Sequence, residues 1–112
     1  MMNPDKRGTV LTLPDGHRQV RFERHLPYSC DQVWRALTDP DRLASWFPGF
    51  TLEHRAGGTF RIWFGGECEG PAHVEGTVVA FDPPNLLQCG GMRWELRPEA
   101  DGCVLLFTDI LV

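Results

Sequence analysis

The side chains able to do covalent or acid–base chemistry are few in this chain, and they are scattered. Its serines are Ser29 and Ser45. Ser29 opens the run Ser29-Cys30-Asp31-Gln32, which reads as a helix N-cap with its capping-box glutamine, and Ser45 falls on the exposed side of a second helical run. Both are better explained as structural residues than as nucleophiles. The four cysteines, Cys30, Cys68, Cys89 and Cys103, never form C-x-x-C, and His17, His25, His54 and His73 have no zinc-ligand spacing relative to them. A cysteine nucleophile would need a histidine brought to it by the fold, which spacing does not show. Glu67 and Glu69 sit in a glycine-bounded segment and read as a solvated loop rather than an acid/base pair. Gly57-Gly58, Gly65-Gly66 and Gly90-Gly91 fit neither a dinucleotide fingerprint nor a P-loop. Only Lys6 is a lysine, so Schiff-base and kinase-type chemistry have no residue in the body of the chain. No catalytic residue, metal ligand or cofactor is expected from this inventory.

The elements that position these residues are legible from periodicity. The 112 residues are 42% hydrophobic, with four Trp and seven Phe, which suits one globular domain spanning residues 1–112. Fifteen acidic residues against eleven basic ones give a net charge of −4 and no basic patch, which argues against a nucleic-acid partner. No apolar run reaches membrane-spanning length, and residues 1–8 are too polar for a secretory signal. The expectation is a cytoplasmic protein with reduced thiols. Residues 1–19 form a tail and a hairpin that turns at Pro14-Asp15-Gly16. A strand follows from about His17 to Leu26, with Val20, Phe22, Arg24 and Leu26 on one face; Arg24 is the anomaly among apolar residues. Val33, Trp34 and Leu37 form the stripe of a first helix. Asp39-Pro40 starts a second, with Leu43, Trp46 and Phe47 apolar and Pro48-Gly49 as its stop. Alternating segments then run to Thr108: Thr51–His54, Phe60–Phe64, His73–Phe81, Leu86–Cys89, Met92–Arg97 and Cys103–Thr108. Helices interrupting a mainly antiparallel meander make an α+β domain.

From Val20 to Phe107 the order of several short motifs resembles one family. They are Phe22-Glu23-Arg24, Val33-Trp34-Arg35-Ala36-Leu37-Thr38-Asp39-Pro40, Trp46-Phe47, Gly57-Gly58-Thr59-Phe60, Gly76-Thr77-Val78, Asp82-Pro83-Pro84 and Leu87. This is similar to the activator of heat-shock-protein-90 ATPase homologues, within the SRPBCC or START-like superfamily. The resemblance implies the helix-grip fold of birch-pollen-allergen type: a curved antiparallel sheet, two short helices after the first long strand, and a long C-terminal helix with an apolar cavity beneath it. Residues 20–112 would be that core, hairpin residues 1–19 an extension as in some bacterial members, and the sequence stops at Val112 before the long helix. Relatives commonly carry histidine where this chain has Asp109.

On that fold, strand parity points Phe22 from the first long strand, Phe60, Ile62 and Phe64 from the next, and Val78 into the cavity. Trp94, Leu96, Leu105 and Phe107 follow from the last two strands, with Trp46 and Phe47 at the mouth. The same residues would equally make a plain core. Arg24 and Asp109 share the inward parity and could meet on neighbouring strands, as an anchor for a ligand head group or as an ion pair closing the sheet end. The leading expectation is a binder of an apolar small molecule, a binding protein rather than an enzyme. A co-chaperone-type interaction module, using an outward patch around Trp63 and Phe81, and a cyclase- or hydrolase-type enzyme are the alternatives. An uncovered concave face implies either that the chain is a fragment or that a second copy covers the surface as a homodimer.

Overall fold

In the computed structural model, which describes residues 9–111, the elements run β1 (Thr9–Thr12), β2 (Arg18–Leu26), α1 (Cys30–Thr38), α2 (Pro40–Trp46), β3 (Phe50–Leu52), β4 (Thr59–Ile62), β5 (Val74–Asp82), β6 (Leu86–Cys89), β7 (Met92–Glu99) and β8 (Gly102–Leu111). The expected polar tail at residues 1–8, including Lys6, lies outside the described residues, as does Val112. All eight strands form one antiparallel sheet in the order β1-β2-β8-β7-β6-β5-β4-β3. β8 ends the meander against β7 and pairs along its other edge with β2, so the N-terminal hairpin extends the sheet at one edge. This is the α+β helix-grip arrangement that the motifs imply, and among the described residues no helix follows β8.

The helices start where the sequence caps them. Ser29 Oγ accepts from the Gln32 amide at 3.2 Å, and the Gln32 side-chain oxygen accepts from the Ser29 amide at 2.9 Å. Two of the orphan donors of the first turn are thereby satisfied reciprocally. Asp39 ends α1 and caps α2, its carboxylate accepting from the Asp41 amide at 3.0 Å while Pro40 holds N1. The indole of Trp46 ties the two helices, its Nε1–H donating to the Ala36 carbonyl at 2.6 Å.

Both helices pack on one end of the inner sheet face. Val33, Trp34 and Leu37 of α1 and Leu43 of α2 bury against Phe50, Phe60, Ile62, Val78, Leu87, Cys89, Trp94, Leu96 and Cys103. Gly76 lies opposite Phe60 in register and leaves room for its ring; a Cβ on Gly76 would sit 2.6 Å from Phe60 Cε1.

The sheet departs from simple alternation at one place that matters. A register shift between Val78 and Ala80 pairs Val78 with Cys89 but Phe81 with Leu87. The extra residue moves Phe81 to the inner face. There its ring packs edge-on to Trp34 at 5.2 Å and stacks on His54 at 5.6 Å. The expectation of Phe81 as part of an outward patch is thus corrected by a bulge. Trp63 is half-buried, and its indole N–H donates to the Gly70 carbonyl at 3.1 Å. β3 begins at Phe50 rather than Thr51, and β8 extends two residues past Asp109.

Candidate functional site

The inner face of the sheet divides into a covered half and an open half. Under the helices, Phe60, Ile62, Val78 and Leu96 are buried core, and Trp94, only 4% exposed, forms the boundary. Beyond Trp94 the face continues on β2 and β8, where Phe22, Arg24, Leu105, Phe107 and Asp109 are all half-buried. Register explains the grouping: Phe22 pairs with Phe107 and Phe107 with Trp94, so three rings fall on one rung of the sheet.

These rings belong to a continuous row. Phe22 and Phe107 lie 5.0 Å apart between centroids, Phe107 and Trp94 5.2 Å, Trp94 and Phe50 6.0 Å, Phe50 and Phe47 4.7 Å, and Phe47 and Trp46 5.7 Å. The row runs from β2 across the inner face to the end of α2. Tilted and edge-on packing of this kind is favourable for aromatic quadrupoles and fixes each ring by its neighbours. The sequence reasoning finds five members, Phe22, Trp46, Phe47, Trp94 and Phe107, and misses Phe50. Its signal was the alternation of Phe50 with Leu52, obscured by reading Pro48-Gly49 as a break that ran one residue further. Trp46 is 46% exposed at the far end of the row. It also borders an open apolar groove of about 680 Å³ between Leu26, Tyr28, α1 and α2.

One expected cavity residue does not join the face. β4 ends at Ile62, and the Gly65-Gly66 turn follows at once with positive φ at both glycines. Phe64 is therefore carried to the surface, 66% exposed, where its ring stacks on His73 at 5.0 Å.

Arg24 and Asp109 both lie on the inner face but do not meet. Arg24 pairs with Leu105 and Asp109 with Val20, four residues apart on the same strand pair. At about 3.3 Å per residue they are roughly 13 Å apart, with the Phe22–Phe107 ring pair between them. The Arg24 guanidinium carbon lies 4.9 Å over the Phe22 ring centroid, a cation–π contact. Asp109 lies opposite Met92 on β7. Among the described residues it makes no hydrogen bond or ion pair. Burial alone raises its carboxyl above the ordinary value of 3.8. The open half is therefore an apolar strip of aromatic rings with a positive group at one end and a carboxyl at the other. Its chemistry suits non-covalent capture of an apolar body carrying polar groups.

Away from this face, one exposed histidine is shifted by its neighbours. His25 Nδ1 lies 2.9 Å from Glu99 and Nε2 3.1 Å from Glu23, and the hydrogen bonds to Glu99 and then Glu23 raise its pKa above 6.5. Among the described residues no group of three or more His, Cys, Asp and Glu side chains is arranged to hold a metal ion. No described helix is long and apolar enough to cross a membrane.

The comparisons with known proteins bear on the family and the fold. The family model for Activator of Hsp90 ATPase homolog 1-like protein matches residues 27–109. No curated protein is a match to the chain. Among solved structures, CalU16 from Micromonospora echinospora is 26% identical with a TM-score of 0.67, over 90% of this chain and 66% of that one. A protein of Rhodobacter sphaeroides is 27% identical with a TM-score of 0.66, over 84% of this chain and 72% of that one. A conserved protein of unknown function from Enterococcus faecalis, 22% identical, shares the fold with a TM-score of 0.73 over 95% of this chain and 62% of its own. The chain spans about two thirds of the length of the structures it matches.

Proposed function

The chain belongs to the activator of Hsp90 ATPase homolog 1-like family, and from that premise we propose that it binds an apolar small molecule along the open half of its inner sheet face. The observation that carries the reading is the aromatic row, whose Phe22–Phe107 end is half-buried and faces outward from the core. A flat apolar body laid on those rings would bury area worth about 25 cal/mol per Å². Asp109, with no partner among the described residues, supplies the acceptor for a donor on that molecule.

The test uses Nile red as a neutral apolar probe and decylamine against decanol as a matched pair. The full chain should give saturable Nile red fluorescence. Phe107→Ser should weaken it about tenfold, the loss of about 1.4 kcal/mol of apolar contact. The chain should also prefer decylamine to decanol, and Asp109→Asn should abolish the preference. Unchanged Nile red affinity in Phe107→Ser contradicts the location. A second copy of the chain laid over the same rings is the competing occupant. It would show as Nile red binding that falls as protein concentration rises.

A further inference from the structure

Two thiols of this chain are placed for a reaction that the aromatic face does not use. Cys30 Sγ lies 3.2 Å from Cys103 Sγ, the one sulfur–sulfur contact among the described residues. Cys30 is the first residue of α1, half-exposed just after the Ser29 cap. Cys103 is fully buried near the start of β8, opposite Leu26 of β2 and Pro98 of β7. The sequence separates them by 73 positions, so nothing local brings them together; the packing of α1 on β8 does. The bonded distance is about 2.05 Å, so the two sulfurs stand little more than about 1 Å beyond it.

We propose that Cys30 and Cys103 form a peroxide-oxidisable dithiol whose disulfide fastens the first turn of α1 to β8. The chemistry balances with hydrogen peroxide as oxidant. Cys30 is the sulfur that peroxide reaches; as thiolate it attacks one peroxide oxygen, the O–O bond breaks, and hydroxide leaves to become water on taking a proton. The product at Cys30 is a sulfenic acid. Cys103 sulfur then attacks Cys30 sulfur, the S–S bond forms, the S–O bond breaks, and the departing hydroxide takes the Cys103 proton as a second water. Two thiols lose two electrons and two protons in total, and one peroxide is reduced to two waters. Burial, with the Cys30 hydrogen bond adding to it, pushes the Cys103 thiol up to about 12. The second step therefore accelerates with pH, as more of the Cys103 thiol ionises. The other two thiols lack this geometry: Cys89 is buried, pushed up to about 12 by desolvation, and Cys68 is exposed in the loop before β5.

The disulfide would close a long loop, which restricts the unfolded chain, and would fasten the first turn of α1 to β8 in the folded one. The experiment uses the full chain with Cys68→Ser, which removes the exposed thiol and with it intermolecular pairing. The protein is reduced, freed of reductant and given one equivalent of hydrogen peroxide. Non-reducing peptide mapping should find the Cys30 and Cys103 peptides joined with the loss of two hydrogens. The thermal midpoint should rise by roughly 10 °C and return on adding dithiothreitol. Cys30→Ser in the same background should show neither the link nor the rise, and its reduced-state melting curve reports that it folds. Recovery of both residues as free thiols, Cys30 joined to Cys89, or a link without a rise in the midpoint would overturn the proposal.

Discussion

Gly76→Ala should destabilise the fold by about 1–3 kcal/mol, although alanine is the better strand residue. The added Cβ would lie 2.6 Å from Phe60 Cε1 and 2.9 Å from Cζ. Carbon atoms in ordinary contact stand about 3.5–4.0 Å apart, so the overlap is about 1 Å. Phe60 has little freedom to relieve it. It is 4% exposed, its ring packs 6.1 Å from Phe50, and Gly90 closes on its other side, where a Cβ would meet Cζ at 3.3 Å. Urea unfolding followed by tryptophan fluorescence measures the cost, and heating should show a midpoint lower by roughly 4–8 °C per kcal/mol. A double-mutant cycle with Phe60→Leu isolates the contact. The two changes together should cost less than their sum by about 1 kcal/mol or more, because the smaller side chain vacates the space that the methyl needs. A neutral or stabilising Gly76→Ala, or strict additivity with Phe60→Leu, would refute the reasoning.

Further consequences concern the caps and the open face. Ser29→Ala should lose about 1 kcal/mol through the Gln32 amide it leaves uncapped, seen as a lower urea midpoint at unchanged slope. Asp109 has its pKa raised by burial, so the folded state holds its proton more tightly than the unfolded chain does. Its contribution favours folding at low pH and is lost as pH rises from about 3.8 through the folded value. Asp109→Asn should therefore raise the thermal midpoint at neutral pH and leave it nearly unchanged well below pH 3.8; a lower midpoint at neutral pH contradicts that sign.

Most of the scaffold is legible in the sequence because its signals are local. The capping box at Ser29, the Asp39-Pro40 restart and the Pro14-Asp15-Gly16 turn each act within a few residues, and each forms as read. Strand parity holds for β2, β7 and β8, which is why Phe22, Trp94 and Phe107 were assigned to one face. Parity fails where the strand is apolar on both sides. Val78-Val79-Ala80-Phe81 carries no polar marker, so a one-residue bulge leaves no trace in the pattern and Phe81 changes face. Phe64 was lost for a different reason, since alternation continues past the true end of β4 while the backbone does not. The spacing of Arg24 and Asp109 depends on register between strands distant in sequence, which neither strand encodes alone. The Cys30–Cys103 contact is tertiary in the same sense.

Amide chemical-shift mapping of the full chain with decylamine tests the central claim most directly. The account predicts perturbations that saturate together on β2 and β8 around Phe22, Phe107 and Asp109, adjoining Met92 and Trp94. Saturable perturbations confined to the groove between Leu26, Tyr28 and the two helices, or no saturable perturbation, would contradict it.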